Sequence, residues 1–478
     1  MGIKKNILYT AVLTTSNYIF PLITYPYVSR VLGVTNIGLC NFIDSVINYF
    51  ILFSMMGMSI IGTRQIAIDK SKDLSIDPAF SSLLFINGLF TFLSLGVLIV
   101  LTFVVPELSE NKELMWYGAL KLVSNFLLIE WFYKGLEDFK FITIRSLILK
   151  CLFVASIFIF VRERDDYPIY YLLTVLMITG NAIINILYSR KFARFKFKLI
   201  NLLNVYKPFF ILGGYFILTS LYTTFNTVFL GFTTNDTQVG YYTTATKLYS
   251  ILLALYSGVT TVLMPRMSNL LAQNKIDEFK VLISKSTTLL FQLSIPLIIL
   301  CDVFTPQIIM LISGPGYEGA ITPMRIIMPL MLIIGYEQIQ VVQCLMPLGK
   351  DKTIMINASI GAIIGIILNL TIVPHLQSIG SAITWACAEL SILILSQYYL
   401  KKYLNINFPG KKLCKEILSY IPLTGILIAI YFIFSFLPYW VILLIGCGIS
   451  GVYFILLMLR SNEHNELKSL FQGIINKF

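Results

Sequence analysis

Apolar residues run along this chain in stretches near or above about 18 residues, parted by short polar segments, from one end to the other. Within each stretch the apolar residues are continuous rather than alternating, which predicts helices and excludes a membrane barrel. The boundaries fall at about 7–31, 38–62, 80–105, 114–135, 142–161, 169–189, 208–232, 240–264, 281–304, 323–346, 353–373, 379–400, 416–437 and 439–459. The predicted fold class is an all-α polytopic membrane protein of fourteen spanning helices joined by short connections, with nothing that resembles a soluble domain.

Composition agrees with the pattern. Of the 478 residues 57% are hydrophobic and 13% are charged, against roughly 25% charged in soluble domains. Lys4 and Lys5 precede an apolar run too long for a typical signal peptide, so this run is expected to be the first span.

The net charge of +12 suggests nucleic acid until its distribution is examined. With the N-terminus placed in the cytoplasm, 27 Lys and Arg residues fall in cytoplasmic segments and three, Lys112, Arg162 and Arg164, in outer loops. One helix more or fewer would destroy that asymmetry, so both termini are expected in the cytoplasm. The basic surplus then answers to topology and anionic lipid, with no nucleic-acid partner.

Cysteines and histidines add no chemistry. Cys151, Cys301, Cys344, Cys387 and Cys447 lie inside apolar runs, and His375 and His464 are isolated, so neither a disulfide framework nor a metal site is expected. Gly349-Lys350 and Gly410-Lys411 lack the upstream glycine of a nucleotide-binding loop. No cofactor is expected, and the drive would be an H⁺ or Na⁺ gradient or the membrane potential.

The two halves share a sequence of punctuation. Leu32-Gly33 matches Leu230-Gly231, Gly38 matches Gly240, Arg64 matches Arg266, Pro106 matches Pro306 and Gly135 matches Gly349, in the same order. This predicts two six-helix repeats, 1–200 and 201–402, with a substrate site between the halves, followed by helices 13–14 and a tail over 403–478.

The stretch Pro26-Tyr27-Val28-Ser29-Arg30-Val31-Leu32-Gly33, then Gly38, Phe42, Ser45, Tyr49 and Gly57, then Gly62-Thr63-Arg64, resembles the start of bacterial O-antigen type polysaccharide flippases. The region from Pro306 to Tyr317, with Gly314, fits the same pattern. The superfamily also holds the lipid II flippases and the multidrug and toxin extruders; fourteen helices favour the lipid-linked sugar branch over the usual twelve of the extruders. The resemblance implies export of undecaprenyl-diphosphate-linked oligosaccharide from the cytoplasmic to the outer leaflet of the cell membrane. It also implies a transporter rather than an enzyme, working with polysaccharide polymerase or assembly proteins and acting as a monomer.

Six basic residues fall within or at the ends of predicted helices: Arg30, Lys121, Lys150, Lys247, Lys285 and Arg325. A cation near a helix centre costs about 2.5–3.5 kcal/mol on insertion scales, so it faces a bundle interior or a wet cavity unless it snorkels to the interface. Lys285 and Arg325 lie near helix ends and suit snorkelling. Arg30, Lys121, Lys150 and Lys247 are the candidate cavity cations for an anionic head group, and Arg30 and Lys247 are expected to face one central space. Polar stripes accompany them: Thr243, Lys247, Ser250, Ala254, Ser257 and Thr261 on helix 8, Thr10, Thr14, Asn17, Pro21 and Thr24 on helix 1, and Asn41, Asp44, Ser45 and Asn48 on helix 2. Close packing of small residues is the alternative.

Asp44, Glu130, Asp302, Glu337 and Glu389 are acids inside predicted helices. Burial penalises the charged form, so such a group could load and release a proton or hold Na⁺; a structural ion pair, for example Asp44 with Arg30, is the alternative. Arg64 and Arg266 are candidates for the cytoplasmic end of a gate, and Pro21, Pro26 and Pro296 are expected to kink their helices.

Two other functions compete with a flippase. A membrane polysaccharide polymerase or glycosyltransferase needs a sizeable outer loop with acids, arginines or histidines, and the longest outer loop here, about 305–322, carries Glu318 as its only charge. An ion-coupled small-molecule extruder of the same fold would have an acidic to neutral cavity.

Overall fold

The structure, a computed structural model, describes residues 3–199 and 206–460. Residues 200–205 of the longest basic loop lie outside the described part, as does the expected tail with His464, Lys468 and Lys477. The same holds for the side chains of Ala254, Ser257 and Thr261. Every regular element among the described residues is helical. The chain divides into two compact units, Met1–Gly240 and Tyr241–Phe478.

The first unit holds α1 (Ile3–Met55), α2 (Met58–Ser71), α3 (Asp77–Val104), α4 (Pro106–Ser109), α5 (Lys112–Leu127), α6 (Glu130–Gly135), α7 (Phe139–Phe160), α8 (Tyr167–Ser189), α9 (Tyr206–Ser220) and α10 (Thr224–Thr233). α11 runs over Asp236–Ala272. The second unit continues with α12 (Ile276–Val303), α13 (Thr305–Ile312), α14 (Ile321–Ile327), α15 (Leu330–Gln338), a π-helical turn at Ile339–Leu345, α16 (Asp351–Leu404), α17 (Gly410–Ile433) and α18 (Tyr439–Arg460).

Among the described residues nine helices are long and apolar enough to cross a membrane, or ten if the bent pair Gly213–Ser220 and Thr224–Thr233 is one span. This is the architecture of a multi-pass membrane protein. Two of the nine, Leu8–Ser71 and Asp351–Leu404, reach 64 and 54 residues. At about 1.5 Å per residue each greatly exceeds a bilayer core of roughly 30 Å. Each contains a break: Gly33 at φ 76°, ψ 169°, and Gln377 at φ 52°, ψ −125°. The conformation of Gly33 is one that essentially only glycine adopts, which explains the Leu-Gly signal in the sequence. The expected helix over 114–135 is interrupted at Ile129, which has a left-handed φ of 34°.

Several glycines of the N-terminal pattern sit where backbones close up. A Cβ on Gly62 would strike the Trp131 ring, and one on Gly135 would strike Ile66, so α2 and α6 lie against each other with no room for side chains at the crossing. Thr63 ties the same crossing by donating its hydroxyl to the Trp131 carbonyl at 3.2 Å. Around it Met58, Ile66, Phe80, Leu83, Phe132 and Phe209 form a buried core. A Cβ on Gly38 would run into the Asp236 carbonyl, and one on Gly240 would run into Val34. Nearby the hydroxyls of Thr35 and Thr237 share a 2.9 Å hydrogen bond. Tyr27 donates to the Val161 carbonyl just past α7 at 2.7 Å, and Tyr49 to the Ser220 carbonyl at the end of α9 at 2.8 Å.

In the second unit α17 and α18 pack on α12, and α18 also meets α13. A cavity of about 300 Å³ between α12 and α18 is lined by Gln292, Pro296, Leu300, Cys447 and Phe454 among others.

Candidate functional site

The candidate cations of the first unit are held by polar residues of its other helices. Lys121 on α5 is 7% exposed. Its Nζ donates to Asp44 Oδ1 at 2.6 Å and to Asn48 Oδ1 at 2.9 Å, both on α1. Asn48 also donates to Asp44 Oδ2 at 3.1 Å, and Tyr171 on α8 donates to Asp44 Oδ1 at 3.3 Å. Four residues from three helices thus form one connected network, in which Asp44 offsets the charge that Lys121 brings into an apolar surrounding. The polar stripe expected from Asn41, Asp44, Ser45 and Asn48 supplies two of its members, Asp44 and Asn48.

Lys150 on α7 forms a second cluster. Its Nζ donates to Ser16 Oγ at 2.7 Å and Asn17 Oδ1 at 2.6 Å on α1, and it stands 5.8 Å from the centroid of the Phe20 ring. No acid pairs with Lys150 among the described residues, so its charge is solvated by neutral oxygens and an aromatic face.

Glu130 anchors a third. Its carboxylate meets Arg145 Nη2 at 3.1 Å and Lys134 Nζ at 3.6 Å. Asn185 on α8 accepts from Arg145 Nη1 and donates to the Leu128 carbonyl; Tyr133 donates to the Asn185 carbonyl. Arg145, one of the 27 basic residues that the topology assigns to cytoplasmic segments, lies inside α7 and is 5% exposed. The predicted span starts at about 142, whereas the helix starts at Phe139 with Asp138 as its cap. The cap at Asp138, whose side chain accepts from the Phe141 amide, is the signal that places Arg145 within the helix.

Arg30 is exposed on α1, three positions before the Gly33 break. Arg64 on α2 and Arg266 on α11 are exposed as well. In the second unit Lys247 is half-buried on α11. Arg325 is exposed and donates through Nε to the Asp302 carbonyl at 3.2 Å.

The two glutamates of the second unit come together. The carboxyl groups of Glu337 on α15 and Glu389 on α16 lie close enough to interact. Trp385 Nε1 donates to Glu389 Oε1 at 2.9 Å. The Tyr249 ring meets the Trp385 ring edge-on at 5.2 Å, and the Tyr249 hydroxyl has no hydrogen-bond partner among the described residues. Two carboxyl groups brought this close favour one shared proton over two charges. The π-helical turn at Ile339–Leu345 follows directly after α15; such turns are rare and recur at functional sites. Fifty-two positions separate the two glutamates in the sequence, which carries no local signal of their meeting.

Among the described residues no cluster of histidine, cysteine and acid side chains could hold a metal.

Comparison with known proteins places this architecture. The sequence profile described as "Polysaccharide biosynthesis protein" matches residues 3–271, more than half of the chain, and the MatE profile matches residues 212–371. The chain is 25% identical over 404 residues to the "Putative O-antigen transporter" of Escherichia coli (strain K12), covering 84% of this chain and 97% of that one. Its fold is shared with a solved structure of the lipid II flippase MurJ in an inward closed conformation, at a TM-score of 0.72 and 17% identity, over 93% of this chain and 98% of that one. It is shared also with the inward-facing conformation of a multidrug resistance MATE family transporter of the MOP superfamily, at a TM-score of 0.62 and 12% identity, over 81% and 94%. The long match to the first profile, carried by the same N-terminal half that holds the Tyr27, Gly62 and Lys121 arrangements, establishes that this chain belongs to the polysaccharide biosynthesis protein family, on the fold of the MOP-superfamily transporters.

Proposed function

We propose that this membrane transporter is a flippase that carries undecaprenyl-diphosphate-linked oligosaccharide from the cytoplasmic to the outer leaflet by alternating access. The observation that carries the reading is the profile match over residues 3–271, joined to a relative named as an O-antigen transporter over 84% of the chain. The chemistry of the first unit supports it. Lys121 and Lys150 place cations inside a helical bundle, where a diphosphate finds charge in a low-dielectric setting. Neither carries a neutralising partner of its own that is fully buried: the Asp44 side chain is 34% exposed, and Lys150 has neutral ligands.

The reading includes fourteen spans: the ten apolar helices become twelve when the two overlong ones are divided at Gly33 and Gln377, and α5 with α6 and α11 supply one each. It includes two six-helix repeats, with α17 and α18 added outside them and the lipid tail running in the cavity beside α18. Both termini are cytoplasmic, Arg64 and Arg266 lie at the cytoplasmic end of the gate, and Arg30 and Lys247 join the cations that grip the head group. The monomer is the working unit, and a polysaccharide polymerase uses the product. The Glu337–Glu389 pair supports coupling to a proton gradient.

A small-molecule extruder is the second reading, favoured by the MatE profile match over residues 212–371. Deletion of the gene followed by mass analysis of polyprenyl-linked glycans separates the two. A flippase leaves completed lipid-linked oligosaccharide accumulating on the cytoplasmic side; an extruder leaves that pool unchanged.

A further inference from the structure

A groove of about 450 Å³ lies between α7 and α8 of the first unit, apart from the Lys121 and Lys150 clusters. Its lining changes character along its length. Asp138, Lys140 and Tyr188 lie at one end, Arg145 lies next, and Ile144, Ile148, Leu149 and Ile184 continue it. From Lys140 to Ile148 is eight residues of helix, about 12 Å of depth. α8 runs past with the same gradient, from Tyr188 to Ile184. A groove that is polar and basic at one end and apolar beyond has the profile of an amphiphile.

Arg145 makes the polar end more than a surface patch. It is 5% exposed and its Cζ stands 5.6 Å from the Phe141 ring centroid. Its two Nη groups serve Asn185 and Glu130, while its buried Nε has no hydrogen-bond partner. A buried donor left without an acceptor is costly, about 1–3 kcal/mol. The local balance is positive. Glu130 is met by Arg145 and Lys134, Asp138 caps α7, and Lys140 is exposed with no ion pair among the described residues. Lys191 stands beside the same end, 4.9 Å over the Tyr188 ring.

We propose that this groove binds an anionic phospholipid, its headgroup phosphate held by Lys140 in the positive field of the Arg145 guanidinium behind it, and an acyl chain lying along Ile144, Ile148 and Ile184. Basic pockets between spanning helices at the cytoplasmic face recognise lipid head groups by this chemistry. The inference rests on the cytoplasmic placement of the start of α7 in the reading above, and it is independent of what the protein transports.

The test uses the full-length protein, purified in neutral detergent, stripped of lipid and then offered phosphatidylglycerol or phosphatidylcholine, with retention read by native mass spectrometry. Phosphatidylglycerol should be retained about fivefold more than phosphatidylcholine. Lys140→Glu should remove that preference, and Ile148→Trp, which fills the apolar end, should lower retention of phosphatidylglycerol to the phosphatidylcholine level. Both variants change exposed side chains, so the protein should still elute as the wild type does. Inorganic phosphate should not displace the bound lipid. Equal retention of the two lipids overturns the proposal, as does wild-type retention by either variant or displacement by phosphate alone.

Discussion

Lys121 Nζ stands 2.6 Å from Asp44 Oδ1, joining α5 to α1 through a buried ammonium and a partly exposed carboxylate. The pair explains how a lysine can sit 7% exposed in an apolar bundle. It also makes a simple substitution ambiguous. Removing one partner of a fully buried pair costs about 3–5 kcal/mol, and the 34% exposure of the Asp44 side chain lowers that here. Lys121→Met should therefore reduce thermal stability and abundance. Lys121→Met combined with Asp44→Asn, which keeps the hydrogen bond from Tyr171, should restore abundance while export stays lost. Recovery of export in the double variant would show that Lys121 is structural and does not grip substrate.

The Glu337–Glu389 pair predicts a different pattern. Glu389→Gln keeps a hydrogen-bonding side chain for Trp385 and Glu337, so the protein should accumulate normally. Transport measured in vesicles should then lose its response to an imposed pH gradient. An unchanged response in both Glu389→Gln and Glu337→Gln would remove the pair from ion coupling.

Gly38 and Gly96 make a matched test of packing. A Cβ at Gly38 meets the Asp236 carbonyl, whereas a Cβ at Gly96 in α3 meets nothing within 4 Å. Glycine to alanine in an open helical position stabilises by roughly 0.5–1 kcal/mol. Gly96→Ala should leave the melting temperature unchanged or slightly raised. Gly38→Ala should lower it and reduce export, because backbone rather than a flexible side chain must move. Equal melting temperatures for the two variants would contradict the close approach.

Topology follows from basic residues and is tested by labelling. In a cysteine-free background, Glu110→Cys and Asp165→Cys, both at exposed positions, should react with an impermeant maleimide applied to whole cells. Lys70→Cys, Lys196→Cys and Lys411→Cys should react only after lysis. Labelling of Lys196→Cys from outside would overturn the proposed orientation.

The helices were legible in the sequence because a bilayer demands long apolar runs, and the breaks at Gly33 and Gln377 fall inside the gaps that those runs leave. Pairwise chemistry was not legible. Asp44 meets Lys121, 77 positions away, and no local signal in the sequence announces that partner. The meeting of Glu337 with Glu389 is equally non-local. Local backbone departures escaped too: neither the left-handed Ile129 nor the π-helical turn at Ile339–Leu345 contains a glycine or proline to mark it. Glycines that punctuate the N-terminal pattern read as turn signals, while Gly62 and Gly135 serve the crossing of α2 and α6.

The central claim is that this chain moves a lipid-linked oligosaccharide between leaflets, and reconstitution tests it most directly. Purified protein is placed in liposomes whose inner and outer leaflets both carry undecaprenyl-diphosphate oligosaccharide. A membrane-impermeant glycan-modifying enzyme is then added outside. With protein present and a proton gradient imposed, the modified fraction should rise from the outer-leaflet half towards completion, and Lys247→Ala should hold it at half. A modified fraction that stays at half with the wild-type protein, in vesicles shown to be sealed and to hold folded protein, would contradict the account.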